Sequence, residues 1–285
     1  MADLQHVFGA ALRPLPAASG PLPRHARLLV AGAGGALGAE VLHRMVASGL
    51  FAQVDVLTTE PMTMALPRVS TVLVRPPDGT AHWPVPPKAV DAAVVMFEPP
   101  RSFNDRERAF FTPTPEQLPA LAAWLQRSGV HTLVVVLPHA PGRLPDALKR
   151  GLASLGEQTV AALGFDRVLL VRSAASMVPS AGQAHPSMLQ KLANWMLSIS
   201  AYMVPPNEQP VRPGQVAQFI AAALRVLPAG TFVASADLLH RANRGNRGNR
   251  GNRKNGAAAI TMEQVVHDWL ADKVLPSAVT AAPPA

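Results

Sequence analysis

The stretch RLLVAGAGGALGAEVL, Arg27 to Leu42, constrains the fold more than any other part of the chain. An apolar run passes through four glycines, Gly32, Gly34, Gly35 and Gly38, into a segment with helical apolar spacing. That order predicts a strand, a tight turn and a helix. The spacing Gly32-x-x-Gly35-x-x-Gly38 has a physical meaning: one glycine permits the turn, another lets the main chain approach an anion, and the last lets helix and strand pack closely. The new helix then offers unpaired N–H groups and the positive end of its dipole. Such a turn serves either as a cradle for a diphosphate or as a purely structural strand-to-helix junction.

The rest of the chain repeats the alternation. Strands are predicted at Arg27 to Ala31, Gln53 to Thr58, Thr71 to Arg75, Asp91 to Phe97, His131 to Leu137, Asp166 to Arg172 and Thr231 to Ala234. The runs LLVAG, AAVVMF, TLVVVL and RVLLV are apolar nearly throughout, as strands covered on both faces must be. Helices are predicted at Ala36 to Ser48, Thr114 to Ser128, Leu144 to Leu163, Pro186 to Met203, Pro213 to Val226 and Thr261 to Lys273. Gly49 and Gly129 supply helix stops, while Pro115 and Pro213 stand at helix starts. The fold class expected is therefore α/β: a doubly wound parallel sheet of Rossmann type with a small C-terminal helical lobe. The expected division is an N-terminal tail over 1–25, a Rossmann domain over 26–240 with a substrate-side lobe at about 174–212, a repeat loop at 241–258, a helix at 259–275 and a tail at 276–285.

Composition narrows the chemistry. With no cysteine in 285 residues, disulfides, thiolate metal sites and a Cys nucleophile are excluded. No His-x-x-x-His or Asp-x-Asp cluster and no Gly-x-Ser-x-Gly elbow occurs, which argues against a metal site and against serine hydrolase chemistry. No apolar run approaches the roughly 18 residues of a membrane span, and Asp3, Arg13, Pro14 and Pro16 disrupt any secretory signal. A soluble, cytoplasmic protein is expected. The net charge of +8 suggests an anionic partner, yet Arg241 to Gly256, RANRGNRGNRGNRKNG, carries six of those charges and no acid. That repeat reads as an expanded surface loop. Without interleaved aromatics to stack on bases, it argues only weakly for a nucleic-acid-binding arm.

Because the glycine turn sits on the first strand of the β/α series, a dinucleotide is the favoured ligand. Its cradle is Gly32, Ala33, Gly34, Gly35, Ala36, Leu37 and Gly38. The end of the second strand selects the cofactor: an acid there bonds a ribose hydroxyl, whereas Arg accommodates a 2′-phosphate. Thr59 and Glu60 stand there with no basic residue before Arg68. NAD is therefore favoured slightly over NADP. Asp55, inside the strand, is the weaker acid for this role.

Over residues 27 to 240 the sequence resembles the short-chain dehydrogenase/reductase superfamily, in particular the atypical branch with NmrA-like and Tat-interacting-protein-like members. The carriers are GAGGALG, SGLFAQVDVLTTE, LAAWLQRSGVHTLVVVL, ALGFDRVLLVRS and PVRPGQVAQFIAAAL. The resemblance implies NAD(P) binding and, by analogy alone, a homodimer. It also implies a Ser at the end of the fifth strand and a Tyr-x-x-x-Lys pair on the next helix. This sequence departs from that pattern. Its one tyrosine, Tyr202, is followed four residues later by Pro206; Leu137, Pro138 and His139 stand at the serine place, and Lys149 and Ala153 fall near the Tyr and Lys places.

Beyond the strands' carboxyl ends, where ligands of such sheets lie, the sequence places Phe97, Glu98, His139, Arg172 and Ser173 beside the glycine turn. Two functions follow. One is a dinucleotide-responsive regulatory or scaffold protein that contacts a protein partner. The other is an oxidoreductase that acts on an apolar carbonyl substrate with His139 or Lys149 as proton donor. For each residue a plain reading stays open: Glu98 before Pro99 and Pro100 caps the loop, and His139 and Lys149 are solvated. Leu189, Leu192, Met196, Ile199 and Met203 form an apolar stripe, either a substrate-side lid or the core of the small lobe.

Overall fold

In the computed structural model of the chain, the residues described are 25–76, 79–86, 88–101, 104–139, 154–174, 211–242 and 261–274. Seven strands make one sheet: β1 (Arg27–Ala31), β2 (Gln53–Thr58), β3 (Val69–Leu73), β4 (Ala92–Met96), β5 (Thr132–His139), β6 (Arg167–Ala174) and β7 (Gly230–Ala234). Their order is β3-β2-β1-β4-β5-β6-β7, and every neighbouring pair is parallel. This is the doubly wound Rossmann arrangement. The winding reverses between β1 and β4, so the ligand crevice of such a sheet opens at their carboxyl ends.

Alternation along the strands divides the core in two. Leu28, Val30, Val54, Val56, Val94, Met96, Val134 and Leu169 face one layer of helices. That layer is α1 (Gly35–Ser48), α4 (Pro213–Val226) and α5 (Met262–Val274), which contribute Met45, Phe219 and Val266 among others. Leu29, Leu57, Val95, Leu133 and Leu170 face the other layer. There α2 (Leu118–Arg127) and α3 (Leu155–Ala162) supply Leu121, Trp124, Leu125 and Val160. A side-chain period of two puts consecutive residues on opposite faces, so strands covered on both faces must be apolar throughout.

Several expected boundaries move. The third strand begins at Val69, two residues before the prediction, because Val54 of β2 pairs with Val69 and the ladder continues to Thr58 and Leu73. Pairing with a neighbour, not local composition, fixes where this edge strand starts. The helix expected from Leu144 has its described part at α3, where Ser154 is extended and its Oγ accepts from the Glu157 amide at 3.2 Å. A helix capped at Ser154 starts afresh there. The helix expected from Thr114 opens with a 3-10 turn at Pro115–Gln117 before α2 begins. A 3-10 turn at Asp105–Ala109 has no counterpart in the sequence reading. The helix expected at 186–203, the stripe Leu189 to Met203, the Asn-Arg-Gly repeat and both tails lie outside the described residues.

Candidate functional site: the glycine turn and its internal carboxylates

The glycines of the β1–α1 turn are required by space as well as by dihedral angle. Gly32 has φ +82°, and a Cβ there would lie 2.1 Å from the Met96 carbonyl oxygen at the end of β4. Gly35 has φ +74°, and a Cβ at Gly38 would stand 2.4 Å from the Ala33 carbonyl carbon. The turn therefore has the close approach and the left-handed bends that a main-chain anion cradle needs. Its helix begins without help of its own. Gly34 at the N-cap has no side chain to accept a hydrogen bond, and the first turn of α1 holds no acidic residue. Amides at such an end must find acceptors elsewhere.

Two carboxylates distant in sequence provide them. Glu98 Oε2 accepts from the Leu37 amide at 2.5 Å, and Glu107 Oε2 accepts from the Gly35 amide at 2.9 Å. Glu107 is 5% exposed. Its second oxygen takes Arg101 Nε at 2.7 Å, Arg101 Nη2 and Asn104 Nδ2 at 2.9 Å, while Oε2 also accepts the Arg101 amide at 2.9 Å. Burial by itself would push this carboxyl upward. The Arg101 side chain, the Arg101 and Gly35 amides and the guanidinium charge outweigh it and bring the pKa down from 4.5 to about 2. Glu107 is thus an anion at all ordinary pH, bound where a helix dipole favours negative charge. The Arg101 guanidinium is raised in turn by its hydrogen bond to Glu107.

The main chain that follows fills the adjoining notch. The Gly32 amide donates to the Phe111 carbonyl at 2.9 Å, the Phe111 amide to the Leu57 carbonyl at 3.0 Å, and the Thr59 amide to the Ala109 carbonyl at 2.8 Å. Thr58 and Phe110 form an isolated antiparallel bridge. After β4, then, the chain crosses over the end of β1 and adds itself to the end of β2 before entering α2. Phe111 is buried edge-on against Trp83, ring centroids 4.9 Å apart, and Trp83 meets Trp124 at 5.5 Å. The crossing segment is anchored in the core by these rings.

The other residues singled out from the sequence fall around this crevice with different surroundings. Ala33 is buried and Ala36 half-buried, both within the turn; Glu60 is exposed just past β2. Phe97 packs on the core of the α2 layer. Arg172 is buried and donates from Nη2 to Glu157 Oε2 at 2.6 Å, tying the end of β6 to α3. Ser173 is buried beside it and opposite Pro138 in the ladder. The backbone of His139 closes β5 opposite Ala174; its side chain, and all of Lys149, lie outside the described residues. Glu98 has its carboxylate on the Leu37 amide of α1. Asp55 sits in the sheet, where Oδ2 accepts from Arg27 and Oδ1 from Ser70. Among the described residues there is no group of three or more His, Asp or Glu suited to a metal ion. Nor is any helix among them long and apolar enough to cross a membrane.

Sequence reasoning reached Glu98 and missed Glu107, Arg101, Asn104 and the 109–111 main chain. One signal was available: α1 starts from Gly34 with no acid in its first turn, so its amides had to be met by acceptors from another part of the chain. Which acid does so depends on the path taken after β4, and no local pattern encodes that.

No family model and no curated protein matches the chain. Solved structures similar to it include a reductase domain of the aureusimine biosynthetic cluster, at 12% identity over 98% of this chain and 90% of that one, TM-score 0.43. Another is a UDP-N-acetylglucosamine 4-epimerase from Bacillus cereus, at 13% identity over 86% and 99%, TM-score 0.41. A third is a short-chain dehydrogenase from Leptospira borgpetersenii with bound NAD+, at 10% identity over 75% and 92%, TM-score 0.40. Likeness of this degree does not bear on ligand or activity. The Rossmann character rests on the chain's own strand order.

Proposed function

We propose that this chain is a Rossmann-fold protein that responds to a dinucleotide and acts in regulation or as a scaffold for a protein partner, without the hydride chemistry of short-chain dehydrogenases. One observation carries the reading: the Gly32–Gly38 turn is built as an anion cradle, and the anions on it are the chain's own Glu98 and Glu107. Main-chain donors at a helix start that hold two carboxylates offer what a diphosphate would take. The cradle as folded does not fit that group, since the Gly35 and Leu37 amides are already committed. A dinucleotide would have to take the carboxylates' place. Occupancy of the site would then be coupled to the conformation of the chain, which is what a sensor requires.

The lack of a Tyr-x-x-x-Lys pair supports a role outside catalysis. Tyr202 has Pro206 four residues on, and no second tyrosine exists. NAD is preferred to NADP on this reading, because Glu60 follows β2 and the first base thereafter is Arg68. The test is a titration of the purified protein with NADH and NADPH, followed by fluorescence, together with a turnover assay on a panel of carbonyl compounds. Saturable binding without turnover is expected. Turnover that His139→Ala abolishes would instead establish an oxidoreductase with an unusual proton donor. Absence of binding by either nucleotide at millimolar concentration would overturn both.

A further inference from the structure

We propose that residues 98–101 and 104–111 form a built-in latch on the cradle, in which Glu98 and Glu107 compete with a ligand diphosphate while the 109–111 main chain closes the notch between β1 and β2. The inference rests on the dinucleotide reading above and states how that site is regulated.

Three sets of contacts define the latch. First, the carboxylates take the amides of Gly35 and Leu37, and Arg101 and Asn104, from the same segment, hold Glu107 in place. Second, the main-chain bonds of Phe111 to Gly32 and Leu57, and of Ala109 to Thr59, seal the strand ends that border the cradle. Third, a Cβ at Gly35 would meet the Glu98 side chain at 2.8 Å, and Gly34 lies 3.4 Å from Pro100 by the same measure. The segment thus packs directly against the turn. Ligand and latch are therefore mutually exclusive, and both bring negative charge to one helix end.

The latch and the cradle are linked by the charge on Glu107. Of the groups that hold Glu107 acidic, Arg101 belongs to the latch and the Gly35 amide to the cradle, so the Gly35 bond is what ties this charge to the closed arrangement. Neutralising the side chain weakens that bond and shifts the population toward the open state. A competing ligand then gains affinity in proportion to the open fraction. Loss of one charge-assisted hydrogen bond corresponds to about tenfold or more, and tenfold is the threshold. Opening also has a place to be read. Phe111 leaves the edge of Trp83, and the amides of Thr59 and Phe111 lose their acceptors.

The experiment measures affinity for NADH and for inorganic pyrophosphate in the full chain, in Glu107→Gln and in Glu98→Gln/Glu107→Gln. Hydrogen exchange of the unmodified protein, with and without 10 mM NADH, runs beside it, so the conclusion does not hang on the variants folding. Support is an affinity at least tenfold higher in the variants for both probes, with faster exchange at Thr59 and Phe111 when NADH binds the unmodified chain. Tight pyrophosphate binding with unchanged NADH binding would confine the latch to the cradle and refute closure of the notch. If NADH binds the unmodified chain and the variants equally, with Thr59 and Phe111 still protected, the latch is wrong and the dinucleotide reading stands. If no form binds NADH, NADPH or pyrophosphate at millimolar concentration, that reading falls and takes the latch with it.

Discussion

Replacing Glu107 by Gln tests the energetics of the site most directly, because the side chain keeps its shape while losing its charge and one of its two accepting oxygens. In the folded protein the carboxyl titrates at about 2 against an ordinary 4.5. At about 1.4 kcal/mol per pKa unit, the charge contributes on the order of 3 kcal/mol to stability. A depressed folded pKa makes this contribution fully present above about pH 4.5, and it is lost as the pH falls from there toward 2. Glu107→Gln should therefore cost about 3 kcal/mol at pH 7, or roughly 6–12 °C in Tm at about 2–4 °C per kcal/mol. The cost should shrink toward pH 3, where the unmodified protein begins to lose the same charge. Urea unfolding of both proteins at pH 7, 5, 4 and 3 measures the gap. A difference below about 0.5 kcal/mol at pH 7, or a gap that stays constant down to pH 3, would refute the account of Glu107 as a buried anion held by Arg101 and the Gly35 amide.

Other outcomes follow from the packing. Gly38→Ala drives a Cβ to 2.4 Å from the Ala33 carbonyl carbon, whereas Gly49, with φ +65°, has nothing within 4 Å. Thermal melts should show Gly38→Ala losing about 4 kcal/mol or more and Gly49→Ala only about 1–2 kcal/mol of left-handed strain; equal losses would contradict the steric reading of the turn. Arg172→Met leaves the buried Glu157 carboxylate without its 2.6 Å partner and should cost about 3–5 kcal/mol, while Glu157→Leu/Arg172→Met recovers most of the loss. A double variant as unstable as the single one would show that the ion pair matters beyond mutual compensation. Ser154→Ala removes the cap on the Glu157 amide, with an expected loss of about 1 kcal/mol measurable by denaturant midpoint.

The amino-acid sequence by itself determined the sheet and its layers. Apolar runs such as AAVVM at Ala92–Met96 and LLVA within Arg27–Ala31 must be buried on both faces, and glycines and prolines mark the helices between them. That information is local, carried by residue period and by a few stop signals, so it can be read without coordinates. The Gly32-x-x-Gly35-x-x-Gly38 turn was legible for the same reason, since positive φ and close approach are properties of the glycines themselves. Tertiary structure alone decided what lies on that turn. Glu107 reaches Gly35 across 72 positions and Glu98 reaches Leu37 across 61, by a path that depends on how the chain leaves β4 and joins the end of β2. The 3-10 turn at Asp105–Ala109 gives no periodic signal, and one carboxylate in a loop looks like any other until its neighbours are known. Hydrogen-bond partners distant in sequence are chosen by the whole packing. A helix start that needs an anion can therefore be foreseen, but not which anion meets it.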